Sequence, residues 1–279
     1  LLDAPPKKGS LAEPGPWWLK RPLHVLVSND AARRSSREAV SHVQGGPLPP
    51  GSVLDSCNGF CVCSPELTFV QMATVFSLAR LIELGFELCG TYDAADGDVR
   101  ECMPLTSVDK LASYVASLGR VHGKRKAARA LRYVANGSAS PRETTLTMLL
   151  CLPYALGGYG IEMPLLNRRI DLTRRARRIS GRNYLVCDLF WPDAMLDVEY
   201  DGGKHADPGQ MSKDSMRRDA LLSMGIAVVT VTKWQLDDGG GLNGIAHVVA
   251  HRLGKQLRYK DPEFTRVNLD LRSELLGRR

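Results

Sequence analysis

Apolar residues along this chain follow two spacings, one helical and one alternating, and the changes between them divide it into elements. Residues 23–28 alternate and predict a strand, while residues 31–51 are polar and then rich in Pro and Gly. Ser64-Pro65-Glu66 opens a helix: Ser64 caps, Pro65 takes the first helical position and Glu66 lies in the first turn. Phe69, Met72, Ala73, Phe76 and Ala79 then recur at helical spacing and predict one helix with a buried face. Thr106 with Asp109 gives a second start and Gly119 a stop. Arg125, Arg129 and Arg132 form a single stripe that reads as a solvated helix face. Asn136-Gly137 marks a turn.

After that turn the order is helix, three strands, helix, strand. Ser140-Pro141-Arg142-Glu143 starts a helix to about residue 152, and strands follow at residues 162–170, 184–191 and 195–200. Residues 212–224 predict a helix with Met216, Ala220 and Met224 as its core stripe, stopped at Gly225. The β-branched run 226–232 predicts a buried strand, and a last helix covers about 244–258. Between Asn167 and Arg182 stand Arg168, Arg169, Arg174, Arg175, Arg177, Arg178 and Arg182 against the single acid Asp171. That stretch is expected to be a loop that tracks phosphates.

The chemistry is concentrated in residues 184–201. Strand alternation places Tyr184, Val186, Asp188 and Phe190 on one face, and Met195, Asp197, Glu199 and Asp201 on one face of the next strand. Leu185, Leu189, Leu196 and Val198 fall on the other side. With Asp193-Ala194 as the hairpin loop, Asp188 lies directly opposite Glu199, and any loop of even length keeps the acids together. Opposed carboxylates repel, and a divalent cation relieves the conflict while supplying what phosphodiester hydrolysis requires. The competing reading is that both acids simply face solvent on a half-exposed sheet.

The 279 residues suffice for one large domain or two modest ones, and a net charge of +7 favours an acidic partner, nucleic acid before membrane. No apolar run approaches the ~18 residues of a membrane span. Seven cysteines at irregular spacing indicate a reducing, cytoplasmic setting. Cys57, Cys61 and Cys63 lack a second ligand pair beyond the unframed His42, so Cys61 and Cys63 are expected to share a buried strand face. The first residues lack the charged and apolar regions of a signal peptide, and the missing initiator Met is expected of a fragment.

Cys187-Asp188-Leu189-Phe190-Trp191-Pro192, then Val198-Glu199-Tyr200-Asp201-Gly202, His205, and Arg218-Asp219 with Leu222 and Gly225, resemble the very-short-patch-repair (Vsr-like) branch of the PD-(D/E)xK nucleases. The resemblance covers about a third of the chain. It implies an α/β fold with a restriction-endonuclease-like αβββαβ core and mixed sheet over 137–260, preceded by a smaller α+β region over 21–136. Residues 1–20 and 261–279 are expected to be tails. Residues 23–88 more weakly resemble AbiEi-type abortive-infection regulators, implying a setting in phage defence with a toxin or defence-system partner; DNA repair is the other setting implied.

The implied activity is that of a Mg²⁺- or Mn²⁺-dependent DNA endonuclease. Asp188 matches the first metal-binding acid and Glu199 the second, with Asp201 where the superfamily's usual Lys stands. Lys204 or Lys213 is implied to take that Lys role, and His205 to act as base or transition-state donor. Glu143 matches an acid on the first helix of the core, although Ser140…Glu143 is equally a capping box. Arg174, Arg175, Arg177, Arg178, Lys213, Arg217 and Arg218 are the expected DNA contacts. The alternative is a catalytically silent DNA-binding regulator, antitoxin-like, in an abortive-infection system.

Overall fold

The structure, a computed structural model, describes residues 22–34, 36–44, 46–55, 61–94, 99–202 and 208–277. The chain divides into two compact units, 1–67 and 68–279. That division falls within the first helix, whereas the resemblance implies a boundary after residue 136. Among the described residues no helix is long and apolar enough to cross a membrane.

In the first unit, β1 (Leu23–Val27) pairs in parallel with β2 (Ala39–Val43), a strand hidden in the polar stretch, and β3 (Val53–Asp55) pairs antiparallel with β4 (Cys61–Cys63). Val27, Ala32, Ala39 and Ser41 are buried. Cys61 is exposed and Cys63 half-buried, so the shared buried face expected of them does not form; Cys57 lies outside the described residues.

α1 (Pro65–Met72) begins as expected, with the Ser64 hydroxyl accepting from Leu67 N at 3.2 Å. It does not continue through Ala79. Ser77 accepts from Arg80 N at 3.1 Å and caps a second helix, α2 (Leu78–Cys89). A cap here outweighs the continuous apolar spacing, because Ser competes for backbone donors that a helix interior would use. β5 (Tyr92–Asp93) and β6 (Arg100–Glu101) form a short hairpin. α3 (Val108–Ser117) is capped by Ser107, one residue later than expected, and α4 (Lys124–Ala130) carries the Arg125 and Arg129 stripe facing solvent.

α5 (Pro141–Cys151) is buried from Glu143 to Leu150 and forms the centre of this unit. The helices α1–α4 share one apolar core with α5 and with the sheet, which is why no boundary falls between them. The sheet has the order β10 (Ala227–Thr232), β9 (Leu196–Asp201), β8 (Tyr184–Trp191) and β7 (Leu165–Asp171). β7, β8 and β9 are successive antiparallel neighbours, and β10 joins β9 in parallel, as a crossover through α7 (Pro208–Leu222) requires.

The basic stretch between β7 and β8 is not a loop. It folds as α6 (Arg174–Ser180), capped by Thr173 and ended by Gly181 at φ +69°. Ala176, fully buried, anchors α6 into a second core with Leu185, Cys187, Phe190, Ala220 and Leu221, leaving Arg174, Arg175, Arg177 and Arg178 exposed. Ile179, half-buried three residues on, packs against the same core, so a narrow apolar edge suffices for a short helix against which α7 packs. On α7, Ala220 is buried but Met216 is 40% exposed, so the expected core stripe holds only towards the C-terminal end.

α8 (Lys233–Asp237), α9 (Gly239–Arg252) and α10 (Glu263–Leu276) complete the unit. Residues 263–276 are thus a helix and not a tail. Phe264, Leu271 and Leu275 bury into the main core, with Tyr259 stacked on Phe264 at 4.2 Å between ring centroids.

Candidate functional site

The two acid-bearing strands meet in the expected register. Trp191 pairs with Leu196, Phe190 with Asp197 and Leu189 with Val198. One step further, that register sets Asp188 opposite Glu199. The connection is longer than the two residues expected: Pro192–Ala194 forms a 3₁₀ turn and Met195 closes it at φ +47°, with Met195 N donating to Pro192 O at 3.1 Å. Four loop residues preserve the parity that two would have given.

Alternation along β8 breaks at Asp188. Leu185 and Cys187 pack with Phe190 under α7, whereas Leu189 and Trp191 pack into the main core with Leu196 and Val198. Phe190 therefore shares a face with Leu185, not with Tyr184 and Val186. Asp188 drops out of both ladders, as does Asn167, which the β7 register sets opposite it and which takes φ +46°. Asn tolerates the left-handed region better than most residues, so the irregularity falls where the sequence can accept it.

The break turns Asp188 towards the start of α5. Its Oδ2 accepts from Tyr200 N at 3.1 Å. Burial, then the charges of Glu143 and Glu199, push its carboxyl up to about 7. Glu143 is 9% exposed and both of its oxygens are engaged. Oε1 accepts from the Ser140 hydroxyl at 2.9 Å, and Oε2 accepts from Ala139 N at 3.1 Å and Asn167 Nδ2 at 2.7 Å. Ser140 caps α5 by accepting from Glu143 N at 3.1 Å. The returning bonds of the carboxylate come from Ala139 N and the Ser140 hydroxyl, not from Ser140 N as in a capping box, and it reaches across to β7 through Asn167.

On the α7 side lie Asp197, Glu199 and Arg217. Arg217 Nε donates to Glu199 Oε1 at 2.8 Å, and Nη2 donates to that same oxygen and to Val186 O. Burial pulls this guanidinium down, but Glu199, then Asp188 and Asp197, outweigh it and hold it above its ordinary value. Arg217 was expected to meet DNA; it lies half-buried inside the acidic cluster instead. Lys213 and Arg218, on the same helix, remain exposed.

Asp197 is 0% exposed, and neither of its oxygens makes a hydrogen bond of good geometry, although Glu199 and the Cys187 thiol lie against the carboxyl. Burial, then the neighbouring Glu199, raises its carboxyl well above the usual range. It is the most deeply buried acid of the cluster. The sequence signal was its place between Leu196 and Val198 in a strand covered on both faces, which leaves no solvated side for residue 197. Asp201 lies at the end of β9, half-buried. Lys204 and His205 lie outside the described residues.

Carboxylate oxygens suit a hard divalent cation, and two orphaned buried oxygens on Asp197 are what such an ion or a proton would satisfy. Among the described residues no three His, Cys, Asp or Glu side chains converge on a preformed ligand set, and Arg217 already neutralises Glu199. The arrangement is thus a charged, desolvated cluster at the junction of β8, β9, α5 and α7. α6, packed into the second core with α7, carries Arg174, Arg175, Arg177 and Arg178 on its exposed side, and Arg169 of β7 lies over the Tyr184 ring at 4.0 Å. Comparison of the chain with family models, curated proteins and solved structures yields no match.

Proposed function

We propose that residues 137–260 form a restriction-endonuclease-like domain that hydrolyses DNA phosphodiester bonds with Mg²⁺ or Mn²⁺. The observation that carries this reading is the cluster of Asp188, Asp197 and Glu199 on β8 and β9, close enough that the Glu199 charge raises both aspartates. The order α5, β7, α6, β8, β9, α7, β10 supports it, since apart from the interposed α6 it follows the αβββαβ succession that the motifs imply.

Asp188, Glu199 and Asp201 would hold the metal, which when bound lowers the pKa of a coordinated water and neutralises charge on the phosphoryl oxygens. Arg217 orients Glu199 and fixes which of its oxygens is available. Glu143 is a positioning residue: its carboxylate is committed to the α5 cap and Asn167, and its charge acts on Asp188. Lys204 or Lys213, and His205, supply the proton-transfer and water-orienting groups. Water adds to phosphorus as the bond to the leaving sugar oxygen breaks, and that oxygen takes up a proton. Arg174, Arg175, Arg177 and Arg178, with Lys213 and Arg218, track the DNA phosphates.

The test is cleavage of plasmid and oligonucleotide DNA with Mg²⁺ or Mn²⁺, comparing the wild type with Asp188→Ala. Metal-dependent nicking that vanishes in the variant is expected. One observation favours a second reading, a silent DNA-binding regulator: Arg217 relieves Glu199 without any metal. Salt-sensitive binding with no cleavage by the wild type would select that reading. A setting in phage defence rests on the AbiEi-like N-terminal region.

A further inference from the structure

We propose that Trp234 is a stacking platform for an unstacked nucleobase of the DNA strand whose phosphate lies at the Asp188–Glu199 cluster, an inference that rests on the nucleic-acid reading above. Isolated exposed apolar side chains are common. Trp234 differs in how firmly its support is held while the indole itself is 70% exposed.

α8 is only five residues long, yet it is fastened on every side. Thr232 and Gln235 form a reciprocal capping box at its start. Leu236 is fully buried, and its carbonyl accepts from the buried Arg272 Nη2 at 2.6 Å. Asp237 accepts from Arg142 Nη1 at 2.6 Å. Such a mount removes the entropy cost of ordering an aromatic surface when a ligand arrives.

The location ties the platform to the acids. Thr230 pairs with Glu199 and Thr232 with Asp201, and α8 starts at the next residue. At the ~3.3 Å rise of a strand residue, the Trp234 Cα lies within about 15 Å of the Glu199 Cα. A nucleotide or two of an extended strand crosses that span. Trp234 and Asp237 are three residues apart on one helix face, and Asp237 is bound to Arg142, the neighbour of Glu143 on α5. α8 therefore flanks the α5 side of the sheet, towards which Asp188 turns. Lys233, exposed and adjacent in sequence, adds positive charge for the adjoining phosphate. Every base has a π-face, so the contact tolerates any sequence and requires only that the base leave its stack.

The test measures the anisotropy of a fluorescein-labelled single-stranded oligodeoxynucleotide, and of its duplex, with the full chain and no divalent metal. Trp234→Ala is expected to weaken single-strand binding about five- to hundredfold, the span of base–aromatic stacking, with the salt slope unchanged. Trp234→Phe should restore most of the affinity and Trp234→Leu little of it. Unaltered binding by Trp234→Ala, or full rescue by Leu, overturns the platform while leaving the nuclease reading intact. A wild type that binds neither DNA overturns both. Circular dichroism of each variant should match the wild type, as the side chain is exposed.

Discussion

Arg217 of α7 spends two nitrogens on one oxygen of Glu199 and reaches past it to the carbonyl of Val186, so one guanidinium joins the helix to two adjacent strands. Arg217→Met would leave a half-buried carboxylate beside Asp188 and Asp197 with no counter-charge. The expected loss is about 1–3 kcal/mol in urea unfolding, below the range for fully buried pairs because both side chains retain some solvent. Adding Glu199→Gln to that variant should recover much of the loss, and a double-mutant cycle with no coupling would refute the pairing.

Asp188 gives the chain a pH dependence of definite sign. Its folded-state pKa of about 7 lies above the ~3.9 of an unfolded Asp, so the folded chain binds the extra proton between those values. That contribution is complete below about pH 4 and is lost as pH rises through about 7. Asp188→Asn, which stays neutral, should equal the wild type at low pH and exceed it by roughly 1–3 kcal/mol at pH 8 without metal. Equal stabilities at both extremes would show that Asp188 is not strained by its surroundings.

Asn167 is the joint between β7 and α5, since its amide donates to Gly137 O at 2.9 Å and to Glu143 at 2.7 Å. Asn167→Asp keeps the shape but replaces a donor with a charge facing Glu143. A loss of about 2–3 kcal/mol at neutral pH is expected, shrinking as the solution is acidified. A flat pH response would show that the amide bonds contribute nothing.

The α6 arginines are expected to act as phosphate contacts. Changing Arg174, Arg175 and Arg178 to Gln, one at a time, should weaken binding to all duplex sequences alike. Each removed contact should lower the slope of log K against log salt by about 0.9. A slope that stays constant in all three variants would assign the surface to solvent alone.

The hairpin carrying the acids was legible because strand period and loop parity fix which residues oppose one another, whatever the turn geometry. Asp188 opposite Glu199 survives a four-residue loop for that reason. The break at Asp188 was not legible, since it arises jointly from two strands and only Asn167 hinted at it. The role of Arg217 was also hidden. A basic residue on an amphipathic helix looks the same whether it meets solvent or an acid 18 positions upstream. α6 was missed because seven residues with only Ala176 and Ile179 apolar carry too little periodicity to distinguish a helix from a charged loop. Splitting the helix after Met72 turned on the Ser77 cap, a local competition that the apolar spacing does not register.

The four-residue turn between β8 and β9 also bears on the order in which the protein assembles. A short loop closes quickly, whereas the crossover that brings Arg217 onto Glu199 must wait for α7 to dock. The like charges of Asp188 and Glu199 are thus expected to meet before their counter-ion arrives. Acidification should therefore speed folding while leaving unfolding nearly constant. Loss of Arg217 should do the reverse, shortening the lifetime of the native state with little change in the time taken to reach it.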